Sequence, residues 1–254
     1  MCAWLRSGVA VLMVAFPMLA FGSQPPIPAG GDIISSVRTY SDSMAQLERG
    51  QGEITVGDIY ATGLALGEKL QEFNGVGKPI PLEALSGEDY AFVQQHMKGF
   101  FVFREEIVGV KPNMAFFKEL AARKGSQEDV DFFDLMAEVY GDGIWPAFVE
   151  QQTDYSGCGS YGDGARTRIY LHAAKLKTPV NEAYKKEIDG MIKGLKESFI
   201  ADGTCVCGGA DAVIKELSLF IEKAPDADFI EEVKQLLSKV KAGKSRMGFY
   251  CQTG

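Results

Sequence analysis

The chain has 254 residues, and its 34 acidic and 26 basic side chains give a net charge of −8. A chain of this length can bury a substantial core and form one large domain or two small ones. The net negative charge argues against nucleic acid or an anionic membrane surface as a partner.

Residues 1–22 have the organisation of a secretory signal peptide. Arg6 precedes an uncharged apolar run, and the small residues Ala20 and Gly22 come just before the expected cleavage at Ser23. The apolar run of about 14 residues is shorter than the roughly 20 that span a bilayer, so we expect no stable membrane anchor. The sequence therefore predicts a periplasmic or secreted protein.

The charge is unevenly distributed along the rest of the chain. Residues 23–164 contain 22 acids and 10 bases, a balance of −12, whereas residues 165–254 contain 12 acids and 15 bases, a balance of +3. An acidic half can attract a basic partner, and it can equally be a solvated surface with no partner. Both interpretations stay open on sequence alone.

Residues 23–140 are dominated by helical periodicity, and we interpret them as an acidic N-terminal helical subdomain. Apolar stripes begin at Ile33 and Val56, and we expect a neighbouring helix to approach closely at the glycines of the second stripe, which are Gly57, Gly63 and Gly67.

Three later helix starts follow from capping residues in the same subdomain. Ser86 begins a long helix that runs to about Gly109 and puts the Phe100–Phe103 region in the core. Asn113 caps a short helix, and Ser126, with Asp129 three residues on, begins the helix that ends near Tyr140.

Residues 141–164 break the helical pattern and read as a loop rich in glycine and aromatic residues. The segment contains six glycines and the one tryptophan outside the signal peptide. Polar-tipped aromatic side chains are favoured at recognition surfaces, so we predict a binding surface formed by Trp145, Asp154, Tyr155 and Tyr161. The alternative is that Trp145 fills the joint between two helical subdomains.

Residues 165–254 predict a C-terminal subdomain of two helical hairpins, over about 165–177 with 180–200 and 210–223 with 227–242. Cys2 leaves with the predicted signal peptide, and the four cysteines that remain in the exported chain point to two disulfides, each closing a loop worth roughly 4 kcal/mol. A bond between Cys205 and Cys207 would form a strained ring, so each should pair with Cys158 or Cys251. Chain order slightly favours Cys158–Cys205 with Cys207–Cys251.

The predicted fold class is therefore all-α, a helical bundle or array of helical hairpins with about eight to nine helices and two disulfides. No alternating segment reads convincingly as a strand. Catalytic, metal-binding and cofactor motifs are missing, and His96 and His172 fit no known spacing. We therefore assign no catalytic residue, no metal site and no cofactor.

The function predicted from these features is binding of another macromolecule, a protein, as a periplasmic inhibitor or toxin-immunity protein would do. Two alternatives remain. A carboxylate-based, glycosidase-like hydrolase would use Glu150, Asp154 and Asp163. A structural or chaperone-like helical module would use an apolar groove lined by the Phe100–Phe103 region.

Overall fold

The computed structural model describes residues 33–72, 79–105, 108–141, 145–153, 156–176 and 179–251. The helices formed by these residues are α1 (Ile33–Arg49), α2 (Val56–Leu70), α3 (Pro81–Ala84), α4 (Gly87–His96), α5 (Met114–Lys124), α6 (Gln127–Tyr140), α7 (Ala165–Lys175), α8 (Glu182–Ile200), α9 (Ala210–Lys223) and α10 (Ile230–Lys241). The strands are β1 (Phe100–Arg104), β2 (Val108–Pro112), β3 (Val149–Thr153), β4 (Ser156–Gly159), β5 (Cys205–Val206) and β6 (Gly248–Phe249).

The predicted signal peptide at 1–22 lies outside the described residues. No helix in the described ranges has the length and apolar character needed to cross a membrane. The division into two helical subdomains around 141–164 stays a prediction.

Capping side chains begin the helices where the sequence indicated. Asn113 accepts a hydrogen bond from the Phe116 N–H at 3.1 Å and starts α5. Ser126 accepts from the Asp129 N–H, and the Asp129 carboxylate accepts in return from the Ser126 N–H at 2.7 Å. These bonds satisfy amides that a helix N-terminus otherwise leaves without partners. The predicted starts of α5 and α6 are confirmed.

The two predicted helix pairs of the C-terminal half are also confirmed, as α7 with α8 and α9 with α10. Their apolar stripes meet in a buried aromatic cluster in which Phe220 packs against Phe199 and Phe229, with ring centroids 4.1 and 5.3 Å apart. All three rings are fully buried, so this cluster is a main source of hydrophobic stabilisation in that half.

The all-α prediction is wrong, because the mainly helical chain also contains two small sheets. Strands β1 and β2 form an antiparallel hairpin in which Phe101 lies opposite Lys111. The second sheet has the order β3-β4-β5-β6, with β3 antiparallel to β4 and the remaining neighbours parallel. The number of helices among the described residues is ten.

The long helix predicted from Ser86 to Gly109 ends at His96, and β1 takes its place. Gly99 has φ +87°, a left-handed conformation that turns the chain out of the helix. In the strand that follows, Phe100 and Val102 are buried, while Phe101 is 40% exposed. Because apolar residues occupy both faces of β1, the sequence lacks the alternation of apolar and polar residues that marks a strand. A continuous apolar run fits a buried helix equally well.

The second sheet escaped prediction because its strands carry little sequence signal. Strands β3 and β4 lie inside the segment predicted as a loop, and β4 is Ser-Gly-Cys-Gly. Strands β5 and β6 have two residues each, too few for any periodicity to appear. Their pairing is set by contacts distant in sequence.

The structure confirms that Cys205 and Cys207 do not bond each other, but the pairing favoured by chain order is wrong. Cys205 and Cys207 each bond a different cysteine, but the pairs are Cys158–Cys207 and Cys205–Cys251, with Cα separations of 5.2 and 5.8 Å. Strand β5 lies between β4 and β6, so strand register rather than chain order decides which sulfurs meet. The Cys207 N–H donates to the Gly159 carbonyl at 3.0 Å, which brings Cys207 beside Cys158.

The glycines of α2 do mark close approach, although only Gly57 faces another helix. A Cβ atom on Gly57 would meet the side chain of Asn181, the N-cap of α8. A Cβ on Gly63 would fall within the ring of Phe100, and one on Gly67 would lie 3.1 Å from Val110. The hairpin β1-β2 therefore packs directly on the backbone of α2.

We predict that Gly63→Ala lowers the free energy of unfolding by about 1–3 kcal/mol, because the added methyl group collides with the Phe100 ring. Gly194→Ala, in the interior of α8 with no heavy atom within 4 Å of the new Cβ, should instead stabilise the protein by about 0.5–1 kcal/mol. Urea denaturation measures both. Equal effects would contradict the packing of the hairpin on α2.

Candidate partner-binding surface

A buried carboxylate anchors the start of α7 and the segment before it. Glu216, in α9, is fully buried. Its Oε2 accepts hydrogen bonds from the N–H groups of Gly162 and Gly164 at 3.1 and 2.8 Å. Its Oε1 accepts from the N–H and the hydroxyl of Thr167 at 3.1 and 2.8 Å. Four donors thus replace the water that an ionised carboxylate loses on burial.

Arg166 is the buried cation beside this carboxylate. Its guanidinium lies 4.0 Å from the ring centroid of Tyr161 and 5.1 Å from that of Phe148. It donates to the carbonyls of Ser160 and Phe148, both at 3.0 Å. Burial lowers the pKa of Arg166, while Tyr161 and Glu216 oppose that shift. Arg166 therefore ties β3 and β4 to the helix that follows them.

Trp145 lies at the beginning of this framework and is half-buried. Its Nε1 is enclosed and has no hydrogen-bond partner among the residues that the structure describes. The chain after it is held by the Ala147 N–H, which donates to the Val139 carbonyl at 2.6 Å. An enclosed indole edge fits the alternative that Trp145 fills a joint between packed elements.

The other residues predicted to form the binding surface are Tyr161, Asp154 and Tyr155. Tyr161 is 9% exposed and donates its hydroxyl hydrogen to the Ser198 carbonyl at 3.0 Å, so it packs as part of the core. Burial raises its pKa. Asp154 and Tyr155 lie outside the described residues.

Asp163 and Glu150, two of the carboxylates that the hydrolase alternative would use, have different neighbours. Asp163 accepts a hydrogen bond from the Ala165 N–H at 3.0 Å and so caps α7. Glu150 is exposed, lies opposite Cys158 in the β3-β4 pair, and its carboxylate comes within 4.8 Å of the sulfurs of Cys158 and Cys207. Asp154 lies outside the described residues.

Neither histidine is part of a recognisable catalytic arrangement. His172 contacts the Glu138 carboxylate at 3.0 Å, and Arg168 lies 3.6 Å from the same group. The Nδ1–H of His96 donates a hydrogen bond to the Phe92 carbonyl, and its ring stacks on the Phe92 ring at 4.0 Å. Both contacts connect or stabilise helices.

Shallow depressions mark the described surface. Two of them have volumes of about 420 and 330 Å³ and are open to solvent. The first follows one face of α10, and the second lies where α6 meets the end of α7 and the start of α8. Neither is lined by Glu150, Asp163 or Glu187, the half-buried acid whose pKa is raised by burial.

Sequence reasoning missed Tyr250, the exposed aromatic residue at the end of the second sheet. Its side chain is 75% exposed, and its φ is +53°, the one positive value among the described non-glycine residues. It lies between β6 and Cys251. The signal in the sequence was weak, since a tyrosine beside a cysteine has many possible roles.

The backbone around Tyr250 is held on both sides. Its N–H donates to the Gly208 carbonyl at 3.1 Å, and the next N–H, of Cys251, donates to the Val206 carbonyl at 3.1 Å. A Cβ atom on Gly209 would lie 2.8 Å from Cζ of Tyr250, so the ring rests against that glycine backbone. The exposed ring is therefore fixed in position.

Asp202 fastens the segment that leads into β6. Its pKa is lowered to about 2 by hydrogen bonds from the Arg246 N–H, the Lys239 ammonium and the Ser245 hydroxyl. These bonds join the residue after the end of α8 to Lys239 in α10 and to Ser245 and Arg246 after it. They hold the C-terminal strand in register with β5.

No protein family, curated protein or solved structure matches this chain.

We predict that Glu216→Ala lowers the free energy of unfolding by about 3–5 kcal/mol, because the buried N–H groups of Gly162, Gly164 and Thr167 lose their acceptor and Arg166 loses a nearby opposite charge. Glu216→Gln should cost nearly as much, since its amide group would face N–H donors. Glu222→Ala, on the same helix with a side chain 67% exposed, should change stability by less than about 0.5 kcal/mol. Chemical denaturation measures all three, and a small effect for both Glu216 variants would refute the anchoring role.

The Asp202 contacts predict a defined pH dependence. Because the pKa falls from 3.8 to about 2 on folding, the folded state binds the proton more weakly than the unfolded state. The stabilising contribution is therefore fully present above the ordinary pKa and is lost as the pH falls through about 2. Asp202→Asn should be less stable than wild type at pH 7 and equal to it near the lower pKa. Ser245→Ala, which removes one hydrogen-bond donor to Asp202, should show a smaller loss of stability with the same dependence on pH. Stability curves of wild type and Asp202→Asn that stay parallel over the whole pH range would contradict this role of Asp202.

Proposed function

We propose that this is an exported protein that binds a protein partner through the surface around Tyr250. The single observation that carries the proposal is an exposed tyrosine held at positive φ beside a disulfide. The predicted signal peptide and the two disulfides support an oxidising, periplasmic or secreted location.

The backbone conformation of Tyr250 supports a role beyond folding. A non-glycine residue in the left-handed region costs roughly 1–2 kcal/mol, and glycine would avoid that cost. Burial of the Tyr250 side chain offsets little of this conformational cost, since three quarters of its surface is exposed. Unfavourable backbone conformations that persist in a fold occur often at binding and active sites.

Rigid presentation also suits binding. The disulfide Cys205–Cys251, the hydrogen bond to Gly208 and the contact with Gly209 all restrict Tyr250. An aromatic ring that is already ordered loses little conformational entropy when a partner covers it. Tyrosine is also among the residues that contribute most to binding energy at protein interfaces.

The shallow described surface fits a protein partner better than a small molecule, because ligand pockets for small molecules are usually concave and enclosing. An inhibitor or immunity role is one form that such binding could take. If the acid excess of residues 23–164 attracts a basic partner rather than being only a solvated surface, that partner would engage the N-terminal half as well.

We predict that Tyr250→Ala abolishes capture of a specific partner from an extract of the native compartment, with a loss of binding of roughly 2 kcal/mol or more. Its stability should stay within about 1 kcal/mol of wild type, because little burial is lost and alanine, which keeps Cβ, leaves the cost of the left-handed backbone unchanged. Immobilised wild-type and variant proteins are compared by quantitative mass spectrometry of what they retain.

The matched control is Val180→Ala, which truncates a side chain that is 86% exposed and lies before α8. It should retain the same partner as wild type. If Tyr250→Ala retains every protein that wild type retains, the surface around Tyr250 is not the binding site.

A further inference from the structure

Strand β3 is an edge strand, and one side of its backbone has no partner strand. The order of the second sheet is β3-β4-β5-β6, so among the described residues β3 pairs with β4 alone. Ala147, just before β3, and Glu150, within it, are exposed to solvent. An edge strand presents a row of N–H and C=O groups with which a further strand can pair.

The register of the hairpin shows which backbone groups face this free edge. The Ser160 N–H donates to the Phe148 carbonyl at 3.0 Å, so these two residues form a hydrogen-bonded pair. Hydrogen-bonded and non-hydrogen-bonded pairs alternate along an antiparallel ladder, so Val149 and Gln151 direct their backbone groups away from β4. The Val149 N–H donates to the Pro146 carbonyl at 2.8 Å. The Val149 carbonyl and both backbone groups of Gln151 therefore face the free edge.

The charge of this part of the chain is entirely acidic. Residues 141–164 contain four acidic residues and no lysine, arginine or histidine. Glu150 lies opposite Cys158 in the hairpin, and the ion pairs formed by the described residues do not include it. Side chains on neighbouring strands lie close enough to interact, and opposite charges in such positions stabilise the pairing. A strand added beside β3 would therefore be favoured by a lysine or arginine next to Glu150.

We propose that the free edge of β3 binds an extended, basic segment of a partner protein as an additional strand of the second sheet. The backbone groups of Val149 and Gln151 hold the segment by hydrogen bonds, and Glu150 pairs with a basic side chain on it.

The two kinds of contact have different consequences for binding. Backbone hydrogen bonds form with a strand of any sequence, so they provide affinity without selecting the partner. Charge provides the selection, because an acidic segment beside Glu150 is repelled and a basic one is attracted. The same repulsion opposes pairing of the β3 edges of two copies of this chain, since residues 141–164 are acidic in both.

The β3 edge is separate from the surface around Tyr250. Strand β3 is at one end of the strand order, and Tyr250 directly follows β6 at the other end. Binding at β3 therefore does not depend on the function proposed for Tyr250. Tyr250→Ala should bind a basic strand as wild type does, so the failure of one proposal is distinguishable from the failure of the other.

The test measures binding of a fluorescein-labelled octapeptide of alternating lysine and threonine to the full-length, disulfide-bonded protein by fluorescence anisotropy. Gln151→Pro removes an N–H that faces away from β4 and should weaken binding about tenfold while the circular dichroism spectrum stays unchanged. Glu150→Gln should weaken it about two- to fivefold. The matched control Glu222→Gln removes the same charge from an exposed position on α9 and should bind as wild type does.

Two further peptides separate strand pairing from attraction between charges. A glutamate–threonine octapeptide should not bind wild type. The lysine–threonine octapeptide methylated at every backbone nitrogen keeps its charge but loses its N–H donors, and it should not bind either. The proposal is overturned if wild type does not bind the unmodified lysine–threonine peptide, or if the methylated peptide binds as tightly. It is also overturned if folded Gln151→Pro binds as wild type does, or if Glu222→Gln weakens binding as much as Glu150→Gln.

Discussion

The fully buried carboxylate of Glu216 accepts four hydrogen bonds from the segment between Gly162 and Thr167. A buried charge is tolerated only when hydrogen bonds and opposite charge replace its hydration, and here Arg166 supplies the opposite charge. This requirement fixes the conformation of a glycine-containing segment that has little side-chain packing of its own. It also joins α9 to the start of α7, two elements far apart in sequence.

The second sheet depends on that anchor. Arg166, which lies between the anchored residues Gly164 and Thr167, donates to the carbonyls of Phe148 and Ser160 at the open end of the β3-β4 hairpin. Strand β4 then positions β5, and β5 positions β6 through short parallel pairings and two disulfides. The exposed ring of Tyr250 directly follows β6. The buried charges of Glu216 and Arg166 thus determine the positions of exposed residues at the second sheet.

The sequence predicted the parts of the fold that local rules determine. Capping residues such as Ser126 marked helix starts, and the apolar stripes of α9 and α10 have the helical period. The strands of the second sheet were not predicted, because β5 and β6 have two residues each and pair with segments distant along the chain. Glu216 looked like any acid on an amphipathic helix, since its burial comes from α7 packing over it. Tyr250 was equally unrecognisable, because its φ value results from tertiary contacts. Tyr161, predicted from the sequence as a binding residue, packs its ring in the core.

Glu216 is thus expected to hold rigid a segment whose composition would otherwise make it mobile. Amide hydrogen exchange measured by nuclear magnetic resonance on the native protein tests this most directly, at the N–H groups of Gly162, Gly164 and Thr167. We expect protection comparable to that of amides in the middle of α9, because opening these hydrogen bonds would expose a buried charge. Exchange as fast as that of an exposed loop at the same three amides would contradict the anchoring role of Glu216.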